Sequence, residues 1–197
     1  MNKLKYVFGG IIFVFIFFPL IILFNPELFK YKFFFLTIMG IFTYFFLLIT
    51  GAKNIELGIT KKNFLLSIKR NIPIIIFGIL IIIILKLLGV NRFISNENKF
   101  FVLFYIFISC PIQEFLYRGV FGYFDLKIIN NNTLVTLISS FCYSFVHIIY
   151  KDLFTCLITF VIGIIWYHLY RKDSNLAGVS LCHSILGILT IFLGIID

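Results

Sequence analysis

The chain has 197 residues, of which 61% are hydrophobic and 13% are charged, and its mean hydropathy is +1.10. Such a composition excludes a water-soluble globular domain and indicates a protein that crosses a membrane several times. The formal net charge of +9 points to basic loops at a cytoplasmic membrane face, and no basic segment is long and polar enough to follow the phosphates of a nucleic acid.

Seven apolar stretches approach the length of about 20 residues that one helical crossing of a bilayer requires. In chain order they span about 6–24, 33–50, 72–90, 100–124, 133–149, 153–170 and 176–196. No small-residue cleavage site follows the first stretch, so we expect it to remain as a helix rather than to act as a signal peptide. The expected fold is therefore all-α, a polytopic transmembrane bundle of about seven helices.

The longest predicted loop covers residues 51–71 and mixes apolar with basic side chains. This pattern favours a short amphipathic helix on the membrane surface, while a solvated basic loop is the alternative. If the N-terminus lies inside, ten Lys and Arg residues fall on the cytoplasmic side and five on the opposite side. This asymmetry predicts a cytoplasmic N-terminus and a C-terminus outside.

The four cysteines lie within predicted spans and show no metal-binding spacing: Cys110, Cys142, Cys156 and Cys182. Neither a disulfide framework nor a zinc site is indicated by this distribution. Free cysteine is among the most frequently buried residue types, so we expect these side chains to act mainly as small packing residues.

A few polar or ionisable residues remain inside the predicted spans: Lys86, Gln113, Glu114, Arg118, His147, His168 and His183. Such a group costs a few kcal/mol in hydrocarbon and normally faces the bundle interior with a partner. Two members of the set have simple explanations. Lys86 lies near a span end and can extend its ammonium to the interface, and His168 lies beside Trp166, Tyr167 and Tyr170 in a sequence typical of an interfacial aromatic belt.

The remaining residues lie at similar depths in three different helices. Glu114 and Arg118 are four residues apart, so they share a helical face and can form an ion pair. Counted from the cytoplasmic span ends at about 1.5 Å per residue, His183 lies roughly 10 Å deep, Glu114 roughly 15 Å and His147 roughly 20 Å. We therefore expect these three side chains to share one polar site. The alternative is three unrelated core residues, each satisfied by a backbone carbonyl.

These residues form three short motifs in chain order: Gln113-Glu114-x-x-x-Arg118 followed by Gly119, Tyr143-x-x-x-His147, and His183-x-x-x-Gly187. The set resembles the motifs EExxxR, FxxxH and HxxxN of the CPBP family of intramembrane proteases. That family includes CAAX prenyl endopeptidases, bacteriocin-processing proteins and the lysostaphin-resistance group. The resemblance covers about residues 72–196. It implies a helical bundle that encloses an intramembrane polar cavity, with two N-terminal helices and a basic cytoplasmic loop at 1–71 and a catalytic-type core at 72–197.

The resemblance also implies roles for individual residues. The catalytic positions would be Glu114, His147 and His183, and the supporting or substrate-binding positions would be Gln113, Arg118, Tyr143 and Gly187. It implies no metal and no cofactor, although two histidines and a carboxylate would also make a reasonable zinc site. Two departures weaken hydrolysis, because Gln113 replaces the glutamate that activates water and Gly187 replaces an asparagine that would stabilise an oxyanion.

Two functions therefore stay open. The first is an endopeptidase that hydrolyses a peptide bond of a membrane-associated or lipidated substrate through a water activated by glutamate and histidine. The second is a non-proteolytic member that acts in bacterial envelope modification, such as lipoprotein N-acylation, or as an immunity or scaffold protein. For acyl transfer, Cys110 would be a candidate thiol one turn before Glu114, although a packing role is the simpler interpretation.

Both candidate functions predict the same cellular location and the same classes of binding partner. We expect a multi-pass protein of a bacterial cell membrane that contacts membrane lipid and a membrane-bound peptide or lipoprotein substrate. An envelope protein is a further expected partner, whereas nucleic acid is not. A transporter has less support, because the sequence shows no repeated pair of broken helices.

Overall fold

The computed structural model describes residues 2–94 and 97–196, and every regular element within these ranges is helical. The helices are α1 (Asn2–Phe24), α2 (Lys32–Ile49), α3 (Phe64–Leu87), α4 (Lys99–Ile129), α5 (Asn132–Phe145), α6 (Leu153–Asp173) and α7 (Ala177–Phe192). A 3₁₀ helix at Pro26–Tyr31 leads into α2, and a second at Val146–Tyr150 extends α5. The first six helices are long and apolar enough to cross a membrane, and α7 is a shorter apolar helix. The predicted polytopic helical bundle is confirmed, and the chain is a multi-pass membrane protein.

The largest difference from the predicted boundaries concerns the basic segment before α3. Residues 64–71 begin the long helix α3 and do not form a separate helix on the membrane surface, so that prediction is wrong. The reason is polar contact with the rest of the bundle. Ser67 and Asn71 are buried, the Ser67 hydroxyl accepts a hydrogen bond from the Gly178 amide at 3.0 Å, and Arg70 pairs with Asp173 at 3.0 Å.

Helix α4 lies at the centre of the bundle, with α2, α5 and α7 packed around it. Its residues 113–125 are all buried, so no face of this part is available to lipid. Three π-helical segments interrupt it, at Tyr105–Ser109, Phe115–Val120 and Asp125–Ile129. Single π turns within α-helices occur frequently at functional sites. The first motif therefore lies in a completely enclosed and irregular part of the bundle.

The loop between α2 and α3 packs against one end of the bundle. Leu57 is fully buried, and its carbonyl oxygen would lie 2.5 Å from a Cβ atom at Gly119. The glycine that follows the first motif thus allows the loop backbone to touch α4. Lys127 of α4 also pairs with Glu56 of this loop at 2.5 Å.

An ion pair closes the opposite end of the bundle. Arg92 contacts Asp152 at 2.6 Å, and the Asp152 carboxylate also caps α6 by accepting hydrogen bonds from the Thr155 amide and hydroxyl. Burial alone would raise the pKa of Asp152, but the hydrogen bonds from Arg92 and Thr155 outweigh that effect and lower it to about 2.

The lowered pKa of Asp152 predicts that the folded protein becomes less stable in acid. A carboxylate with a lowered pKa in the folded protein stabilises the fold above its ordinary value near 3.8, and the stabilisation is lost as the pH falls towards the folded value. We expect Asp152→Asn to be less stable than the parent at pH 6 and to lose less stability between about pH 5 and 2. Unfolding midpoints in detergent at several pH values measure this, and identical pH profiles of parent and variant would contradict it.

Candidate functional site

The core of the site is a buried ion pair within α4. Glu114 and Arg118 both have side chains that are 0% exposed, and Glu114 Oε2 lies 3.2 Å from Arg118 Nε. The pair predicted from the four-residue spacing is therefore confirmed. The Arg118 guanidinium also lies over the Tyr143 ring, with Cζ 4.2 Å from the ring centre. This cation–π contact gives the buried charge a second source of stabilisation.

Helix α7 adds His183 to this pair. The Nδ1–H group of His183 donates to Glu114 Oε1 at 2.7 Å, whereas Oε2 has only the ion contact with Arg118 and accepts no hydrogen bond from a described residue. The imidazole stacks on Trp166 of α6 at 4.7 Å between ring centres. On its other side, Nε2 lies 3.4 Å from the Tyr143 hydroxyl. The ring of His183 on α7 is thus held by contacts with Glu114 of α4, Tyr143 of α5 and Trp166 of α6. We call Glu114, Arg118, Tyr143 and His183 the ion-pair cluster.

A pocket lies beside this cluster, between α1, α2, α4 and the 3₁₀ turn after α5. It has a volume of about 70 Å³ and a mostly apolar lining, which is room for a few water molecules or a short stretch of hydrocarbon. Its polar or charged lining residues are Lys32, Gln113, Tyr117, His147 and Tyr150. Glu114 and His183 are not among the lining residues.

His147 has a defined hydrogen bond at the edge of this pocket. Its Nδ1 lies 2.8 Å from the Tyr143 carbonyl oxygen, which can only accept. Nδ1 therefore carries a proton, and Nε2 of the neutral ring keeps a lone pair. Gln113 belongs to the same pocket, and its amide nitrogen donates to the Ser109 hydroxyl at 3.0 Å.

The structure therefore divides the polar residues into two neighbouring groups. Glu114 and His183 lie in the ion-pair cluster, whereas Gln113 and His147 line the pocket. The single site expected for Glu114, His147 and His183 stays a prediction, because the rings of His147 and His183 both contact the Tyr143 ring, with centres 5.1 and 5.7 Å from its own. Tyr143 joins the two groups, since its hydroxyl approaches His183 and its carbonyl binds His147.

Within the described part of the chain, no three His, Cys, Asp or Glu residues gather closely enough to hold a metal ion. The zinc site considered for His147, His183 and a carboxylate is thus not assembled. Three of the four cysteines are buried, and all four are free thiols.

Gly187, at the last motif position, leaves space that a tyrosine fills. A Cβ atom at Gly187 would clash with the hydroxyl oxygen of Tyr105. The Tyr105 ring also meets the His183 ring edge to face at 5.9 Å. An asparagine at position 187 would therefore require Tyr105 to move. The sequence motifs alone contained no signal for Tyr105, which precedes the first motif.

The aromatic residues near His168 also differ from the expectation. Trp166, Tyr167 and Tyr170 are buried within the bundle, whereas His168 is exposed. The prediction of an interfacial aromatic belt is therefore wrong for these three rings, because Trp166 packs against Arg118 and His183, Tyr170 packs against Gly122, and Tyr167 contacts Tyr170. Lys86 behaves as expected, since it is exposed and its ammonium donates to the Leu193 carbonyl at 3.0 Å.

The second half of the chain is similar to a known protein family. Residues 95–189 match the family model described as "Rce1-like: Type II CAAX prenyl endopeptidase Rce1-like". No curated protein and no solved structure matches the chain significantly. The matched region includes all three motifs, and it relates the function of the chain to that of CAAX-type intramembrane proteases. The predicted CPBP relationship is therefore confirmed for residues 95–189, which form an Rce1-like region of this chain.

Proposed function

We propose that this protein is a CPBP-type member that binds the hydrocarbon chain of a membrane-embedded substrate in its pocket and does not hydrolyse a peptide bond there. One observation carries the proposal. Glu114 is completely buried, accepts a hydrogen bond from His183 and lies 3.2 Å from Arg118, while the pocket presents the amide of Gln113. A carboxylate that does not line the pocket cannot take a proton from water there, and an amide is not a general base.

The lining of the pocket supports binding of a hydrocarbon chain. Phe15, Phe18, Ile22, Leu36 and Met39 contribute apolar walls from α1 and α2. Ligand sites of this kind are mostly apolar, and a small number of polar groups fix the orientation of the ligand. Gln113 and His147 are suited to that orienting role, because an amide and a neutral imidazole can each donate or accept a hydrogen bond.

A second candidate function is peptide hydrolysis with His147 as the general base. The hydrogen bond from Nδ1 to the Tyr143 carbonyl supports it, because Nε2 then keeps a lone pair that could take a proton from water. In this mechanism Gln113 would position the water, and the ion-pair cluster would only hold Tyr143 in place. The two candidates differ in whether the unmodified protein cleaves any peptide.

A cleavage assay with Gln113→Glu tests the proposal. The purified protein is reconstituted with two probes, a fluorogenic farnesyl-cysteine peptide that ends in an AAX tripeptide and a lipid with a photoreactive acyl chain. We expect the parent protein to cross-link to the lipid and to leave the peptide intact. Gln113→Glu should raise cleavage by at least about 100-fold over the parent background, because a positioned base typically contributes that much.

Two further variants make the outcome decisive. Gln113→Met has a similar size but no carboxylate, so it should show no gain in cleavage. Cleavage by the parent that disappears in His147→Ala would replace the proposal with the second candidate. Absence of photolabelling in the pocket would contradict the binding part of the proposal.

A further inference from the structure

The first turns of α3 carry a lysine on the side of the helix that faces lipid. Leu65, Ile72 and Ile76 are 68%, 43% and 54% exposed, and Lys69 is exposed between them. The spacing of four, three and four residues places these side chains on one helical face. The residues on the other side of α3 are buried in the bundle: Ser67, Asn71, Ile75 and Ile82.

The position of Lys69 along α3 corresponds to the headgroup level of a bilayer. The segment 72–85 contains no charged residue, and Lys86 follows it. Lys69 and Lys86 are thus roughly 25 Å apart along the helix, which is close to the thickness of about 30 Å of a hydrocarbon core. The two lysines mark the two edges of the apolar part of α3, so the ammonium of Lys69 lies at the depth of the lipid phosphates.

Two further lysines lie directly before α3. Lys61 and Lys62 are both exposed. The side-chain amide of Asn175 donates to the carbonyl oxygens of Thr60 and Lys62 at 2.7 and 2.8 Å, which holds this part of the backbone against the bundle. The lysines are therefore presented from a fixed backbone at the start of the helix. We call the following residues the basic–apolar surface: Lys61, Lys62, Leu65, Lys69 and Ile72.

The acidic residues at this end of the bundle already have basic partners. Three ion pairs account for them: Glu56 with Lys127, Asp125 with Arg171, and Asp173 with Arg70. Among residues 2–94 and 97–196, none of these carboxylates pairs with a lysine of the basic–apolar surface. The surface thus combines three positive charges that lack an ion-pair partner in the described chain with exposed apolar side chains.

We propose that the basic–apolar surface binds the phosphates of anionic phospholipids in the adjoining leaflet. The three lysines pair with the headgroups, while Leu65 and Ile72 contact the acyl chains. Charge complementarity favours an anionic lipid over a neutral one, by about fivefold for each lysine near the membrane surface. An acidic protein would complement the charges but not the apolar side chains at the same helical face. This binding is separate from the pocket and from the proposed function.

The test is photolabelling with two lipids that differ only in the headgroup. Phosphatidylglycerol and phosphatidylcholine, each with a diazirine on the acyl chain close to the glycerol, are added in trace amounts to the full-length protein in phosphatidylcholine nanodiscs. Labelled residues are located by mass spectrometry. We expect segment 64–72 to be labelled at least about fivefold more by the anionic lipid. The preference should decline between about 50 mM and 500 mM salt, because salt screens exposed charges.

Two triple variants assign the preference to its cause. Replacement of Lys61, Lys62 and Lys69 by glutamine should abolish the preference at segment 64–72. The matched control removes the same number of charges from exposed lysines near the opposite ends of the helices: Lys30, Lys99 and Lys151. This control should keep the preference. Equal loss in the two triple variants would overturn the inference, because it would indicate a general attraction to the net charge of the protein.

The parent protein alone also provides outcomes that would overturn the inference. One is equal labelling of segment 64–72 by the two lipids at low salt. Another is a preference for the anionic lipid that does not change with salt, because it would not arise from exposed lysines. A third is loss of the labelling when a poly-glutamate peptide is added at a concentration below that of the lipid. That result would make an acidic protein the better partner.

Discussion

Substitution of Arg118 by methionine is expected to lower the free energy of unfolding by about 3–5 kcal/mol, the usual cost of removing one partner from a buried ion pair. Arg118 is completely buried between Glu114 and the Tyr143 ring. Its removal would leave the Glu114 carboxylate in a low-dielectric interior with His183 as its remaining partner. Reversible unfolding in mixed micelles measures the difference between variant and parent.

Two comparisons test the assigned cause. Glu114→Gln combined with Arg118→Met removes both charges, so it should recover a large part of the stability lost in the single variant. Lys127→Met provides a control, because Lys127 and Glu56 are 42% and 23% exposed in their pair and exposed pairs contribute about 0–1 kcal/mol. Equal losses in Arg118→Met and Lys127→Met would contradict the prediction.

Gly178→Ala is expected to destabilise the protein by about 1–3 kcal/mol or more, as overpacking of a close helix contact typically does. Gly178 lies in the first turn of α7, against α3. A Cβ atom there would clash with the carbonyl oxygen of Ser67 and approach the Asn71 amide nitrogen to 2.5 Å. A backbone carbonyl cannot rotate away as a side chain can, so the two helices would have to separate. The change would also disturb His183, which lies on the same helix.

Gly10→Ala in α1 is the matched control for this substitution. No atom lies within 4 Å of a Cβ atom at Gly10, and alanine is favoured over glycine in a helix by about 0.8–1.0 kcal/mol. We expect this variant to be as stable as the parent or slightly more stable. The measurement is again the unfolding free energy, and a Gly178→Ala protein as stable as Gly10→Ala would show that α3 and α7 can adjust without cost.

Two adjacent residues of α4 lie in different surroundings, because Gln113 lines the pocket and Glu114 belongs to the ion-pair cluster. Whether the protein can hydrolyse a peptide bond depends mainly on these two residues. Glu114 stabilises the bundle through Arg118 and His183, while Gln113 meets the space that a substrate could occupy. A carboxylate at position 113 could act on a ligand in the pocket without disturbing the pair at positions 114 and 118. Cleavage by Gln113→Glu would mean that the parent protein lacks only a general base. Absence of cleavage by this variant would mean that the site also lacks other groups that hydrolysis requires.

The sequence by itself determined the class of fold and the order of the helices. Long apolar stretches define membrane helices because a bilayer core has a nearly constant thickness. The four-residue spacing of Glu114 and Arg118 likewise predicted their ion pair, since residues four apart share a helical face. The motifs also indicated the CPBP relationship, which the match over residues 95–189 confirmed.

Only the tertiary structure decided which polar residues share a space. Helical depth placed Glu114, His147 and His183 at comparable levels, but depth does not specify the direction in which each side chain points. The packing of α4 against α5 and α7 directs Glu114 towards His183, and Gln113 towards the pocket with His147. Similarly, an apolar or aromatic segment does not reveal whether it meets lipid or another helix. The burial of Trp166 and the start of α3 at Phe64 therefore depended on contacts between residues far apart in the chain.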